Sequence, residues 1–317
     1  IAYWQWENFA NYIKTFAEKH NLSAMIGTSY SENTTFGVDG GITGSSSTLG
    51  IIKNDPLYAY FNYATGTASK TLTGGEKLRS TKLSYFGRVG YDYMGTYFFQ
   101  GSLRADAADT SILPTNKRWG YFPAVSLGWV VSNEKFLKDV KPITYLKVRA
   151  SWGQNGSVAG LSDYMYAATI ASTIKYSYST SDASVNYNIG SIPSSTGNYN
   201  LKWETSEQQD YGIDLRMLND RLTFTADYFI KKTKDLIVTG ITPSLVVGNT
   251  VSPMNAGNVE NKGLEIELGW RNHIGDFRYG IKGNIATLKN NVTYIDPTLT
   301  RIAGGSAGQG TVCYFEK

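Results

Sequence analysis

Apolar and polar residues alternate with a period of two along most of the chain, the repeat of a strand whose two faces meet different surroundings. Leu264, Ile266, Leu268 and Trp270 fall on one face, and Glu265, Glu267 and Arg271 on the other. The same division sets Leu222, Phe224, Ala226, Tyr228 and Ile230 against Arg221, Thr223, Thr225 and Asp227, and Leu146, Val148, Ala150 and Trp152 against Lys147, Arg149 and Ser151. It recurs in Tyr211, Ile213, Leu215 and Met217 against Asp210, Asp214 and Arg216, and in Tyr279, Ile281 and Ile285 against Arg278, Lys282 and Asn284. About ten such segments are expected, each close to the roughly 9 to 11 residues with which a tilted strand crosses a bilayer.

The expected connections alternate between two sizes. Ala17 to Asn21, Asp92 to Gly95, Asn219 with Asp220, and Asn272 to Asp276 are short and polar, suited to tight hairpins, with Ser132 to Thr144 the longest of this class. Asn33 to Thr81, Ala107 to Trp119, Gly156 to Asn200 and Lys232 to Gly257 are long and rich in Ser, Thr, Gly, Asn and Tyr. Structureless connections of that length are unusual in compact domains. They are the rule on one side of outer-membrane barrels, where turns are short toward the periplasm and loops long toward the outside. No repeat of fixed period supports a propeller or solenoid.

Composition sharpens the choice between lipid and water. Aromatic residues make up 14% of the 317 residues, with 23 Tyr and 7 Trp, while charged residues reach only 18%, below the norm of about 25% for soluble domains. No stretch reaches the roughly 18 consecutive apolar residues of a membrane-crossing helix, an observation that says nothing against β-strands. Tyr85, Tyr91, Tyr97, Trp270 and Tyr279 are placed like the ring belts of a membrane boundary. Their alternative reading is ordinary strand preference. A formal charge of +4 without a basic run gives no nucleic-acid footprint.

Candidate chemistry is sparse. Cys313 has no partner cysteine in the chain, and with only His20 and His273 beside it there is no metal-ligand spacing, so neither metal nor cofactor is expected. Both histidines are expected in short turns, apart and facing water. The carboxylate pairs Glu265/Glu267 and Asp106/Asp109 read as wall charges and a loop feature rather than an acid/base pair, and Gly74 to Lys77 lacks the spacing of a phosphate loop. An enzyme is not expected. Binding is better supported: Tyr164, Tyr166, Tyr176, Tyr178, Tyr187 and Tyr199 lie in the long connections, where flat rings could stack on a sugar or equally fasten loop to loop. Trp119 and Tyr121 are expected to pack at a rim.

Ser102-Leu-Arg-Ala-Asp106, followed by Asn116-Lys-Arg-Trp-Gly-Tyr-Phe-Pro-Ala-Val-Ser-Leu-Gly-Trp129, closely resembles the SusC/RagA family of TonB-dependent outer-membrane transporters. Leu146-Lys-Val-Arg-Ala-Ser-Trp-Gly-Gln-Asn-Gly156, Asn200-Leu-Lys-Trp-Glu-Thr205, Ala226-Asp-Tyr-Phe-Ile-Lys-Lys-Thr-Lys-Asp-Leu-Ile237 and Asn255-Ala-Gly-Asn-Val-Glu-Asn-Lys-Gly-Leu-Glu-Ile266 look like its later signatures, in the same order. Each is weak singly; as an ordered set they are strong. The resemblance implies an all-β fold, part of a 22-stranded transmembrane barrel with a plugged lumen. It further implies TonB-energised import of an oligosaccharide or peptide across the outer membrane of a Gram-negative, Bacteroidetes-like bacterium, with a SusD-like surface lipoprotein as partner and the TonB-ExbB-ExbD complex acting through parts not in this chain.

At roughly 32 residues per strand a wall of that kind needs about 700 residues, so the chain is expected to be a piece of a longer polypeptide, without the plug or the carboxypeptidase-like amino-terminal domain. Its polar face then lines the lumen with Arg88, Arg104, Lys147, Arg149, Asp214, Arg216, Glu265, Glu267 and Arg271. The rival from another class is a secreted or surface-anchored soluble β-protein, an adhesin or lectin that binds carbohydrate through its tyrosine loops.

Overall fold

The structure is a computed structural model, and it describes residues 1–43, 69–138, 140–177, 187–239, 241, 250–299, 302–306 and 311–315. The strands are β1 (Ala2–Phe16), β2 (His20–Thr43), β3 (Ser69–Tyr93), β4 (Tyr97–Ala107), β5 (Trp119–Val130) and β6 (Ile143–Ser157). They continue with β7 (Ile170–Ser177), β8 (Tyr187–Pro193), β9 (Ser195–Thr196), β10 (Glu204–Met217), β11 (Leu222–Val238) and β12 (Thr250–Val251). The last are β13 (Met254–Ile274), β14 (Phe277–Ala286), β15 (Lys289–Ile295), β16 (Ile302–Ser306) and β17 (Thr311–Phe315).

One sheet carries the fold, with strand order β1-β2-β3-β4-β5-β6-β10-β11-β13-β14 and β15 paired to the far end of β13. From β3 onward every neighbour on this path is antiparallel. The ten-strand path agrees with the sequence expectation. The chain divides into two compact units, 1–6 with 30–81, and 7–29 with 82–317. In the first, the Trp4 and Tyr30 rings lie 5.1 Å apart and Arg79 pairs with Glu32 at 2.7 Å. The second holds everything described below.

The registers put the alternation on two faces. Trp129, Val148, Ile213, Ala226, Ile266 and Ile285 form one cross-strand row, and Leu127, Ala150, Tyr211, Tyr228 and Leu264 another. These apolar rows stay uncovered: Leu127 is 55% exposed, Tyr211 50% and Ile285 63%, and in neighbouring rows Leu268 and Ile281 are exposed too. Buried apolar side chains instead collect near strand ends and in the long connections, among them Leu113, Leu201, Val130, Ala256 and Ile295. A soluble sandwich would bury those rows against a second layer; among the described residues no such layer exists.

Several strands outrun the expected length. β13 has 21 residues, about 70 Å of contour at ~3.3 Å per residue, of which a bilayer crossing uses only about 11 residues. Of the connection expected from Asn33 to Thr81, the described residues 33–43 and 69–81 are strand, belonging to β2 and β3. Gly156 to Asn200 contains the β7–β8 hairpin and β9, and Lys232 to Gly257 is shortened by the ends of β11 and β13. Backbone ladders continue beyond lipid, where both faces are wet and the apolar signal fades. Both histidines lie in strands rather than in turns, His20 opening β2 and His273 inside β13, where the turn narrows to Gly275 with Asp276. Ser132 to Thr144 holds a 3-10 turn, Val131–Asn133, and a one-turn helix α1, Lys135–Lys138.

β13 changes partner at Gly263, pairing with β15 from Gly257 to Lys262 and with β14 from Glu265 to Ile274. There Thr287 donates its N–H to the Leu264 carbonyl at 2.9 Å, and a Cβ on Gly263 would stand 2.0 Å from the Thr287 carbonyl oxygen. Backbone cannot step aside as a flexible side chain can. Gly263→Val in the full-length protein should lower unfolding stability by about 1–3 kcal/mol, measured by denaturant titration in detergent. Gly283→Ala, whose Cβ would meet nothing within 4 Å, should leave the midpoint unchanged.

Candidate functional site

The sheet brings charged residues together on one face. Phe98, Gly128, Arg149, Gly212, Asp227 and Glu265 share a row across β4, β5, β6, β10, β11 and β13. Arg149 binds Asp214 through Nε at 3.1 Å and reaches over the intervening strand to Asp227 through Nη2 at 2.7 Å. Gly212 permits this: a Cβ there would lie 2.6 Å from the Arg149 guanidinium carbon and 2.5 Å from Asp227 Oδ1. Lys147, one row down, lies over the Phe98 ring at 5.1 Å, and Arg216 over the Tyr145 ring at 5.1 Å. Each cation thus has a partner that fixes its long side chain.

The other expected wall residues keep to the same face. Glu267 pairs with Lys282 at 2.8 Å, and Glu265 stands opposite Asp227. Arg271 Nε donates to the Asp220 carbonyl at 2.9 Å. Arg104 pairs with Asp106 at 2.7 Å and donates to Ser84 Oγ at 2.9 Å. Arg88 stands opposite Ser102. Nearby, a hollow of about 470 Å³ is lined by Gln100, Ser126, Lys147, Arg149, Ser151 and Asp210. Ser151 Oγ and Gln208 Nε2 both donate to the Asp210 carboxylate, at 3.2 and 2.9 Å. The hollow is floored by glycines, Gly90 and Gly128, and offers short polar groups able to hold a hydrogen-bonding solute.

At the long-loop ends of the strands the connections build a core of their own. Leu113, Leu201 and Ala108 are buried, packed by Ile112, Val158, Leu161, Tyr166 and Trp203. Trp203 meets the Phe122 ring edge-on at 5.5 Å and donates Nε1–H to the Arg118 carbonyl at 2.9 Å. Asn198 Nδ2 donates to the Pro253 carbonyl at 2.8 Å, and Asn255 Oδ1 accepts from the Lys202 N–H at 3.0 Å. Three connections are so joined into one platform, reinforced by the β9–β12 pairing.

The six candidate tyrosines divide. Tyr166 sets its ring edge-on to Tyr199 at 5.9 Å and donates its hydroxyl to the Thr110 carbonyl at 2.8 Å, so it fastens the platform. Burial, with Tyr164 and Tyr199 nearby, pushes its phenol above the ordinary tyrosine range. Tyr164 and Tyr199 stay exposed, Tyr164 with a left-handed backbone (φ 58°). Tyr176 and Tyr187 belong to the β7–β8 hairpin, and Tyr178 lies outside the described residues. Trp119 stacks on Tyr85 with ring centroids 6.1 Å apart, at the same ends of the strands. The carboxylates of the second pair part ways: Asp106 is on β4 with Arg104, and Asp109 accepts from the Ser111 N–H in the loop beyond.

Sequence reasoning missed the partners that need register, chiefly Asp227 and Gly212 as the far side of the Arg149 bridge, and Lys282. It also missed Trp203, Asn198 and Asn255 as platform residues. The glycines flanked by charged neighbours were the one available signal for the former.

The architecture of the sheet is that of a barrel wall, and residues 2–311 match the family model described as TonB dependent receptor-like, beta-barrel. The chain belongs to this family, whose members are receptors for transport and not enzymes. TonB-dependent receptor P3 of Formosa agariphila is 33% identical over 288 residues, 90% of this chain and 27% of that protein. The TonB-dependent receptor SusC of Bacteroides thetaiotaomicron is 33% identical over 217 residues, 68% of this chain and 21% of SusC. The chain therefore spans about a quarter of the curated relatives it matches. Among solved structures, the RagAB peptide importer in its open-open state superposes with a TM-score of 0.75 at 21% identity, covering 98% of this chain and 32% of that one. These matches make the chain part of a SusC/RagA-type receptor barrel.

Because Tyr166 has a raised pKa, its neutral form supports the platform fully below the ordinary tyrosine pKa, and that support is lost as pH rises through the raised value. Corrected for the base-catalysed intrinsic rate, amide protection in the full-length protein should fall in 108–118 and 198–203 at strongly alkaline pH, while that of β10 and β11 is unchanged. Trp203→Ala should expose the same segments to protease at neutral pH, with a loss of about 3–5 kcal/mol in local stability; unaltered digestion would mean the ring is not their keystone.

Proposed function

We propose that this chain is wall and outer-loop structure of an importer in the outer membrane of a Gram-negative, Bacteroidetes-like bacterium, taking up an oligosaccharide or peptide too large for passive diffusion. The observation that carries the reading is the two-faced sheet: among the described residues nothing covers its apolar rows, while the opposite face is laced with charges. Lipid covers the first. The second lines a wet lumen with Arg88, Arg104, Lys147, Arg149, Asp214, Arg216, Glu265, Glu267 and Arg271. Arginines and carboxylates on one wall grip hydrogen-bonding solutes weakly and at many points, which suits passage better than retention.

Energy enters through the TonB-ExbB-ExbD complex, acting on a plug supplied by other parts of the protein. The long-loop platform faces outward, and a SusD-like lipoprotein delivers the solute to it. Tyr164 and Tyr199, exposed beside one another's loops, are the rings best placed to meet it, with Tyr176, Tyr178 and Tyr187 farther along the same connection. Family membership, SusC among the relatives and a peptide importer among the structural neighbours support this reading. An adhesin or lectin would need a second layer over Leu127, Leu268 and Ile281.

Ile266→Arg in the full-length protein aims a charge into lipid and should cost about 2–4 kcal/mol near the midplane. Glu267→Arg breaks only the exposed pair with Lys282, worth about 0–1 kcal/mol. Equal folding yields of the two variants would sink the assignment of faces. Uptake of fluorescent oligosaccharides and peptides should disappear on deletion of the gene and on collapse of the proton gradient; uptake that survives the uncoupler would rule out energised import.

A further inference from the structure

The connection between β5 and β6 carries a feature that transport does not use. It lies at the short-turn rim and is tied to the apolar side of the sheet. Tyr97 and Trp129, stacked there with ring planes 8° apart, both donate to the Glu134 carboxylate, Trp129 through Nε1 at 3.2 Å. Glu134 is thereby engaged by two ring donors. The next turn, α1, then leaves Phe136 67% exposed, and Val140 is exposed beyond it. Lys135, Lys138 and Lys141 are exposed as well, and among the described residues none of the three has a carboxylate partner. Asp139 between them lies outside the described residues.

We propose that Lys135, Lys138 and Lys141 bind the phosphate of an anionic phospholipid in the leaflet at this rim, with Phe136 inserted at the boundary of its acyl chains. The proposal rests on the membrane reading above. Lys135 and Lys138, three residues apart on one turn, are neighbours on a helical surface. Their methylene stems can lie along apolar surface while the ammonium groups stay at headgroup depth. Phe136 is an apolar ring left largely exposed among the described residues, on a turn tied through Glu134 to the Tyr97 and Trp129 rings that mark the boundary. A solvated turn would account for the lysines alone; it gives no reason for an uncovered phenylalanine beside a ring belt. Short turns face the periplasm in such barrels, which assigns the site to the periplasmic leaflet.

Full-length receptor in detergent should retain phosphatidylglycerol in native mass spectra, with binding roughly fivefold weaker for each lysine replaced and about a hundredfold weaker in Lys135→Gln/Lys138→Gln/Lys141→Gln. Phosphatidylcholine should not distinguish the two proteins. Equal retention of phosphatidylglycerol by wild type and variant, its displacement by inorganic phosphate at matched concentration, or preference for lipopolysaccharide would overturn the proposal. In vesicles of brominated phosphatidylcholine with phosphatidylglycerol, Phe136→Trp should add quenched emission to the wild-type signal, as should Tyr211→Trp from the middle of the apolar face. Quenching at Tyr211→Trp but not at Phe136→Trp defeats the lipid site alone; quenching at neither defeats the membrane reading beneath it.

Discussion

The fold depends on apolar rows that no described residue covers. In water, uncovered strips of Leu, Ile and Tyr running across five or six strands would associate with whatever apolar surface they met. In lipid the same rows are in their solvent, and the constraint passes to the backbone: every N–H and C=O within the hydrocarbon must be paired, which only a closed run of strands achieves. The sheet accordingly runs from β1 to β14 with each strand hydrogen-bonded to its neighbours on the path. The relative energies agree. A cation turned toward lipid costs several kcal/mol, whereas the exposed ion pairs of the opposite face contribute at most about 1 kcal/mol each. The faces are set by lipid, and the charges then arrange themselves on what remains.

Beyond the bilayer that solvent is gone, and the protein has to supply a core itself. Leu113, Leu201, Ala108 and Trp203 do so for the long connections, with Asn198 and Asn255 satisfying backbone groups that loops leave open. The two regimes meet in Phe122, whose strand belongs to the wall and whose ring packs against Trp203 of the platform. A platform fastened this way keeps Tyr164 and Tyr199 exposed at its surface while Tyr166 holds the loops beneath them.

Much of the wall was legible in the sequence because period-2 alternation reports the surroundings of each side chain, and lipid against water is the sharpest contrast available. Leu264 to Trp270 and Tyr211 to Met217 fall on the face their spacing assigns. Strand ends were not legible: β2, β3 and β13 continue where both faces are wet, and there Ser, Thr and Gly read as loop although the ladder persists. Cross-strand partners were hidden for a different reason. Arg149 meets Asp214 and Asp227 only once two registers are fixed, and register is a property of hairpins and bulges, not of any one segment. The tyrosine-rich connections gave their composition but not their division of labour, since whether Tyr166 fastens or binds depends on a carbonyl at Thr110 and a ring at Tyr199.

The glycines of the polar face show how such a wall can be both charged and smooth. Arg149 would collide with any side chain at Gly212, and Lys147 lies close over Gly128. Removing the Cβ beneath each long cation lets it lie flat along the sheet to a partner one or two strands away, instead of standing into the space in front. On the proposed transport reading, a cation lying flat and already paired lowers the depth of any single trap for an anionic or hydroxylated group, while keeping the surface wet. Bulkier residues at these positions would leave the net charge of the wall unaltered and yet turn its cations outward, so the glycines, as much as the charges, determine what this face offers to a solute.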